Sequence, residues 1–275
     1  LTLPADVAAA PADLWLLRLP CLPSELLQLP ALLGELLGCF PLASSNAATG
    51  LVGLQFSVQD AHQPPVLVAA IRGEPRGVMR GAPKSASLIA SLDGAVAVDS
   101  PADLQPFLAS PADATALIAS TLLDDTFESA APRLPRTILA IKEHVLNENA
   151  ALVLGSLTDA SFSLVGARLV YLPAPSGSSA LLGLDSPLAS GPMLAVLVEG
   201  FDATERIQAL AGAIDPKLAR TTDVGSWRAR LGIDRSLNVL STPRHAKGAM
   251  RAASYFFGPR HSLVTPSVPL VLRQP

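Results

Sequence analysis

Histidine, cysteine and clustered charge are where chemistry would be sought first, and this chain spaces them sparsely. His144 follows the apolar run Arg136–Lys142, but no second His or Cys stands at metal-ligand spacing from it. Cys21 and Cys39 lie 18 residues apart in a Leu-rich stretch. They could pair, but two buried free thiols are expected, and no zinc spacing is present. The first half holds no Ser/His/Asp set and no glycine-rich phosphate loop. It does carry Arg72, Arg76 and Arg80, each followed by glycine. On a helix that spacing would make a basic stripe. The glycines point instead to a mobile loop, a candidate docking surface. Trp227 with Tyr255, Phe256 and Phe257 could stack on a base, but such residues more commonly close a core.

Bulk composition narrows the partners. The 275 residues are 49% apolar and 4% aromatic, with net charge −3. A core can be built, mainly from Ala, Leu and Val. No Lys/Arg run exists, so neither nucleic acid nor an anionic membrane is expected. Leu14 to Phe40 is very apolar, but Arg18, Glu25, Glu35 and three prolines interrupt it. A span needs about 20 clean apolar residues. No basic region precedes that stretch, so no signal peptide is expected. A start at Leu1 suggests a processed or partial chain.

The elements that must position any site are clearest after residue 135. Segment 124–135 is acidic, then Ala/Pro-rich, and reads as a linker. Strands are expected at Arg136–Lys142, Ser163–Tyr171, Met193–Glu199 and Ser236–Leu240. Helices are expected at Glu148–Ala160, Ala203–Ala211 and Arg244–Phe257, with a short one after the loop Leu172–Gly183. This order predicts an α/β (α+β) fold, a ferredoxin-like βαββαβ antiparallel sheet with helices on one face. The first half repeats it weakly, with strands at Leu14–Arg18, Leu51–Val58 and Val66–Ile71 and helices at Pro30–Phe40 and Ser110–Leu123. Two such domains in tandem are therefore expected, 1–123 and 136–258, followed by an extended tail, 259–275. The tail's apolar, proline-rich run suggests an arm docking on a partner.

Six pieces of the second half, in order over about 120 residues, carry a family likeness. They are Arg136-Thr-Ile-Leu-Ala-Ile-Lys142, Ser190-Gly191-Pro192 with Glu199-Gly200, and Ala211-Gly212-Ala213-Ile214-Asp215-Pro216. Then follow Trp227-Arg228-Ala229-Arg230-Leu231-Gly232, Asn238-Val239-Leu240 and Ser254-Tyr255-Phe256-Phe257. Together they resemble the nucleoside diphosphate kinases. That resemblance implies phosphoryl transfer through a phosphohistidine, with cations and an amide holding the phosphates. It places Lys142, Arg228 and Asn238 on the phosphate contacts. It places Ser241 on the catalytic histidine and Ala252 on the glutamate that orients it. Gln208 falls on a second arginine, unless Arg206 compensates, and Ile214 on a threonine. Glu143-His144 replaces Pro-Asp, and Leu172–Gly183 is a shortened lid. Thr242-Pro243 reads as a helix start, Thr as cap and Pro at the first position. His245, one turn later, is expected to face solvent.

A serine without an adjacent base is a weak nucleophile. Losing such a nucleophile costs about 10⁴–10⁶ in rate in other enzymes. The expectation is a pseudoenzyme with no cofactor, Lys142, Arg228 and Asn238 being vestigial nucleotide or magnesium-phosphate contacts. Asp215-Pro-Lys-Leu-Ala-Arg220 is similar to the second domain of two-domain ciliary members, and the composition resembles green-algal flagellar proteins. These likenesses imply a structural protein of the cytoskeleton, in the axoneme of a cilium or flagellum. Its implied partners are proteins of a large assembly, such as tubulin or axonemal proteins, with no nucleic acid and no membrane. Two other expectations are a nucleotide sensor without turnover and a working kinase.

Overall fold

The computed structural model describes residues 13–20, 28–43, 49–57, 66–98, 134–172, 180, 182–188 and 191–257. The first half supplies strands β1 (Leu14–Pro20), β2 (Gly50–Ser57), β3 (Val66–Arg72) and β4 (Val96–Ala97). The second supplies β5 (Arg136–Lys142), β6 (Ser163–Leu172), β7 (Gly191–Glu199) and β8 (Leu240–Ser241). All eight form one sheet, ordered β4-β1-β3-β2-β6-β7-β5-β8. Every pairing is antiparallel. The fold is α+β, as expected. The two halves do not make separate sheets, because β2 and β6 pair across the middle.

The central strands are apolar throughout because both faces are covered. Alternation sorts their residues. Leu139 and Ile141 of β5, with Leu194, Val196 and Val198 of β7, face one core. Ile138 and Ala140, with Met193, Ala195 and Leu197, face another.

The first face carries α1 (Leu29–Cys39), α3 (Ala86–Asp93), α5 (Ala150–Asp159) and α6 (Ala203–Ala211). Helix α1 buries Leu29, Leu33, Leu36 and Leu37, and α5 buries Ala150, Val153, Leu154 and Leu157. Each buried Leu contributes about 1.5–3 kcal/mol. The two helices meet at Gly34, where an added Cβ would lie 2.8 Å from the Ala151 Cα. Short helices α2 (Pro75–Val78), α4 (Glu143–Leu146), α7 (Pro216–Thr222) and α8 (Trp227–Leu231) also lie among the described residues.

Helix α9 (Ala246–Phe257) lies on the opposite face, packing Ala252, Ala253 and Phe256 against Ile138, Ala140 and Leu197. Helices on one face only was therefore incorrect. The aromatic grouping separates for the same reason. Trp227 sits in the first core and donates to Ser156 Oγ at 2.8 Å, while Tyr255 and Phe256 meet edge to face on the other side.

Three local expectations also change. Segment 236–239 is not a strand, because the Asp234 carboxylate accepts from the amides of Ser236 and Leu237 and folds a turn. Thr242-Pro243 does not start the last helix. The Thr242 hydroxyl donates to Ile138 O at 2.9 Å, and Pro243 bridges to Leu184, so the chain follows the sheet longer. His245 caps α9 instead, its Nδ1 accepting from the Gly248 amide at 3.0 Å. The arginine–glycine segment contains α2, capped by Glu74, with Arg76 paired to Asp93 and Arg80 bonded to Asn147 O.

Cys39 is a buried free thiol, raised by burial above its ordinary pKa, and Cys21 lies outside the described residues. So do helix Ser110–Leu123, the tail, most of the linker and most of the shortened lid. Among the described residues no helix is long and apolar enough to cross a membrane.

Candidate functional site

Three segments converge at the end of β5. Lys142 ends the strand, and its amide donates to Val239 O at 2.9 Å. Its Nζ donates to Asn238 Oδ1 at 2.6 Å and to Ser236 O at 2.7 Å. Asn238 Nδ2 donates in turn to Ile214 O at 3.2 Å. Asn238 thus bonds backbone, as Asn commonly does, and also carries the lysine. Val239 has φ +79, and Leu240 N reaches Asn238 O at 3.0 Å, which makes a γ-turn around a β-branched residue. Strained backbone of this kind costs about 1–3 kcal/mol and clusters at functional sites.

Arg228 comes from α8, whose first turn is capped by Ser226 Oγ. The arginine is 1% exposed. Its Nη2 donates to Asp185 Oδ2 at 2.6 Å and to Leu240 O at 3.0 Å. Its Nη1 donates to Gly212 O at 2.8 Å and its Nε to Asn238 O at 3.3 Å. Asp185 Oδ1 accepts from the Thr242 amide at 3.1 Å. One carboxylate therefore ties the arginine to the residue after Ser241.

Lys142 is 2% exposed. Burial pulls its pKa down to about 8, and the Arg228 charge adds to the shift, while Asp185 and Asp234 oppose it. Burial also lowers His144, followed by the Lys142 charge. No group of three His, Cys, Asp or Glu among the described residues could hold a metal.

The structure brings Lys142, Arg228, Asn238 and Ser241 together. Ser241 is fully buried. Its hydroxyl donates to Pro187 O at 3.1 Å and meets Ser186 Oγ at 2.9 Å. Neither is a base. Ala252 lies in the apolar cluster under α9. Gln208 Nε2 donates to Pro243 O at 2.7 Å. Arg206 does not compensate for it, since it lies over the Phe162 ring at 4.6 Å and bonds Phe201 O and Ala160 O.

Asp185 was missed in the sequence. The signal was there, because it is the only charged residue between Arg168 and Glu199. A lone carboxylate in so apolar a stretch calls for a buried cation.

No family model matches the chain. Individual relatives do. A nucleoside diphosphate kinase of Aquifex aeolicus is 25% identical over 130 residues, covering 44% of this chain and 89% of that protein. One from Dehalococcoides mccartyi is 28% identical over 132 residues, covering 44% and 91%. About half of this chain is similar to the nucleoside diphosphate kinases. A third family member, from Methanosphaera stadtmanae, is 34% identical over 74 residues, and there the chain spans only 47% of the relative's length. Solved structures of nucleoside diphosphate kinases from Aquifex aeolicus and Encephalitozoon cuniculi align with TM-scores of 0.41 and 0.40 at 20% and 18% identity. They cover 46% and 48% of this chain and 98% and 95% of their own.

Proposed function

We propose that this nucleoside-diphosphate-kinase-like chain is catalytically inactive and serves as a structural protein. One observation carries the reading. Both cations that would hold phosphate are buried and bonded to the chain's own oxygens. A phosphate must touch the charges that bind it. Here Asp185 takes the anion's place beside Arg228. Ser241 and Ala252 add to the case, since one hydroxyl is tied to a carbonyl and the other side chain has no polar group.

The test is thermal unfolding with millimolar ATP, GTP or ADP and magnesium. A bound nucleotide at 100 times its Kd would add about 2.7 kcal/mol. A flat melting temperature is expected. A nucleotide-dependent rise would overturn the reading in favour of a sensor, and an acid-labile phosphoenzyme would overturn it in favour of a working kinase.

The finer proposal is a place in the axoneme of a cilium or flagellum, bound to microtubules or proteins on them. It rests on the likeness of Asp215-Pro-Lys-Leu-Ala-Arg220 to ciliary two-domain members. The helix α7 formed by that segment leaves Leu218 exposed, and Ile214 and Ile233 are exposed as well. A density map of the native axoneme checks it, with the chain expected on the doublet wall. Its absence from that map would refute the placement.

A further inference from the structure

The strand registers assign the paired residues of β1, β2 and β3 counterparts in β5, β6 and β7. Arg72 pairs with Leu14 and Gly50, while Glu199 pairs with Arg136 and Ser163. Pro20 pairs with Val66, and Lys142 with Met193. Both second strands carry an irregularity at the same place, between Leu51 and Gly53 and between Leu164 and Gly166. The turn after the third strand closes alike as well. The Gly73 amide donates to Asp13 O at 2.8 Å, and the Gly200 amide to Pro135 O at 3.0 Å. Asp13 and Pro135 each immediately precede a first strand.

These registers make Gln55, opposite Val68, the counterpart of Arg168, opposite Ala195. Gln55 and Arg168 pair with each other across the seam. Phe56 pairs with Ala167, the counterpart of Leu54, and Ser57 with Gly166, the counterpart of Gly53. A residue facing its own counterpart, with neighbours crossing over, is the mark of an isologous two-fold contact. The packing of α1 on α5 at Gly34 and Ala151 belongs to the same contact, since these helices occupy matching places between first and second strands.

We propose that the chain is a unit and its near-copy closed on each other, with the first half acting as a built-in partner. The first half fills the self-complementary surface, the β6 edge and the α5 face, on which a second copy of the second half would dock. The register puts Pro20 at the place of Lys142, so the first half offers no second lysine cradle. The likeness stops at the fourth strands. β4 pairs with Trp15 and Leu16, whereas β8 pairs with Ala140 and Ile141.

The test uses the full chain. A protease site between Glu128 and Ser129 is cut in the folded protein. The two fragments are expected to elute together at the mass of one chain, and separation would overturn the proposal. The second arm combines Gly34→Phe with Arg168→Cys. The bulky side chain wedges α1 from α5 and frees the β6 edge for a second chain. Residue 168 then meets its own copy at the axis, so a disulfide-linked two-chain species is expected. Arg168→Cys alone should remain single-chain. If the double variant keeps its far-ultraviolet circular dichroism but no such species forms, the contact is not isologous.

Discussion

Gln55 and Arg168 are counterparts in their two halves and also cross-strand partners at the centre of the sheet. Directly opposed side chains in a sheet lie about 5 Å apart, so like charges there repel. Two identical units would have to face one residue type with itself. One chain holding both halves is free to place glutamine opposite arginine. Arg168 remains a buried cation, lowered by desolvation to about 10, and its Nη1 donates to Phe256 O at 3.0 Å.

Asp185→Asn should be strongly destabilising. It leaves Arg228 charged and buried at 2% side-chain exposure, without its carboxylate. Removing one partner of a buried ion pair costs about 3–5 kcal/mol. Urea unfolding would measure the loss. Inorganic phosphate should recover more stability in this variant than in the parent, because it supplies the missing anion.

Ser241→His should not restore phosphoryl transfer. Ala252 provides no orienting group, and Asp185 keeps Arg228 occupied. The fully buried position also has no room for a ring, so a loss of about 1–3 kcal/mol is expected. Incubation with labelled ATP followed by acid and alkali treatment tests the first point, and chemical denaturation tests the second.

Lys142→Met should change how stability depends on pH. The folded lysine has a pKa of about 8, against 10.5 in the unfolded chain. Below pH 8 both states hold the proton, and the cost of the buried charge is present in full. Between about 8 and 10.5 the unfolded state holds more protons, so this group makes stability rise with pH, by at most about 1.4 kcal/mol per unit. Methionine removes that rise. The stability of the variant relative to the parent should therefore fall between pH 8 and 10, measured from urea midpoints at each pH. A constant difference would show that the lysine titrates normally.

Gly212→Ala should weaken the whole site. Gly212 has φ +78 and ψ −174, and an added Cβ would lie 2.5 Å from Ser226 Cβ. Its carbonyl also accepts from Arg228. The strained backbone alone costs about 1–3 kcal/mol, and the contact adds to it. A matched Gly225→Ala control, where an added Cβ meets nothing within 4 Å, should cost much less in the same thermal melts.

Strands with strong apolar runs were legible, because a two-sided buried strand has little choice of composition. β5 and β7 lie where the sequence put them, to within two residues. Lys142, Arg228 and Asn238 came through the family likeness and do converge. Their bonding did not, because hydrogen bonds to carbonyls of Ser236, Leu240 and Gly212 leave no trace in residue type. The turn at 234–239 was misread as a strand because Asn238-Val239-Leu240 has strand-like composition, while Asp234 decides the backbone from four residues upstream. The seam between halves was hidden too. Pairing of β2 with β6 joins residues over a hundred positions apart, and no local pattern encodes that.

With β2 and β6 joined at the centre, the outermost strands among the described residues are β4 and β8, each two residues long. Behind them, backbone oxygens are already claimed. Ser91 Oγ donates to Arg18 O at 2.8 Å on one side, and Thr242 Oγ1 to Ile138 O on the other. Short, covered borders give an incoming strand little to extend. Among the described residues the sheet is thus a finished tile rather than a link in a ribbon. A partner meeting these two borders would grip side chains rather than extend the sheet.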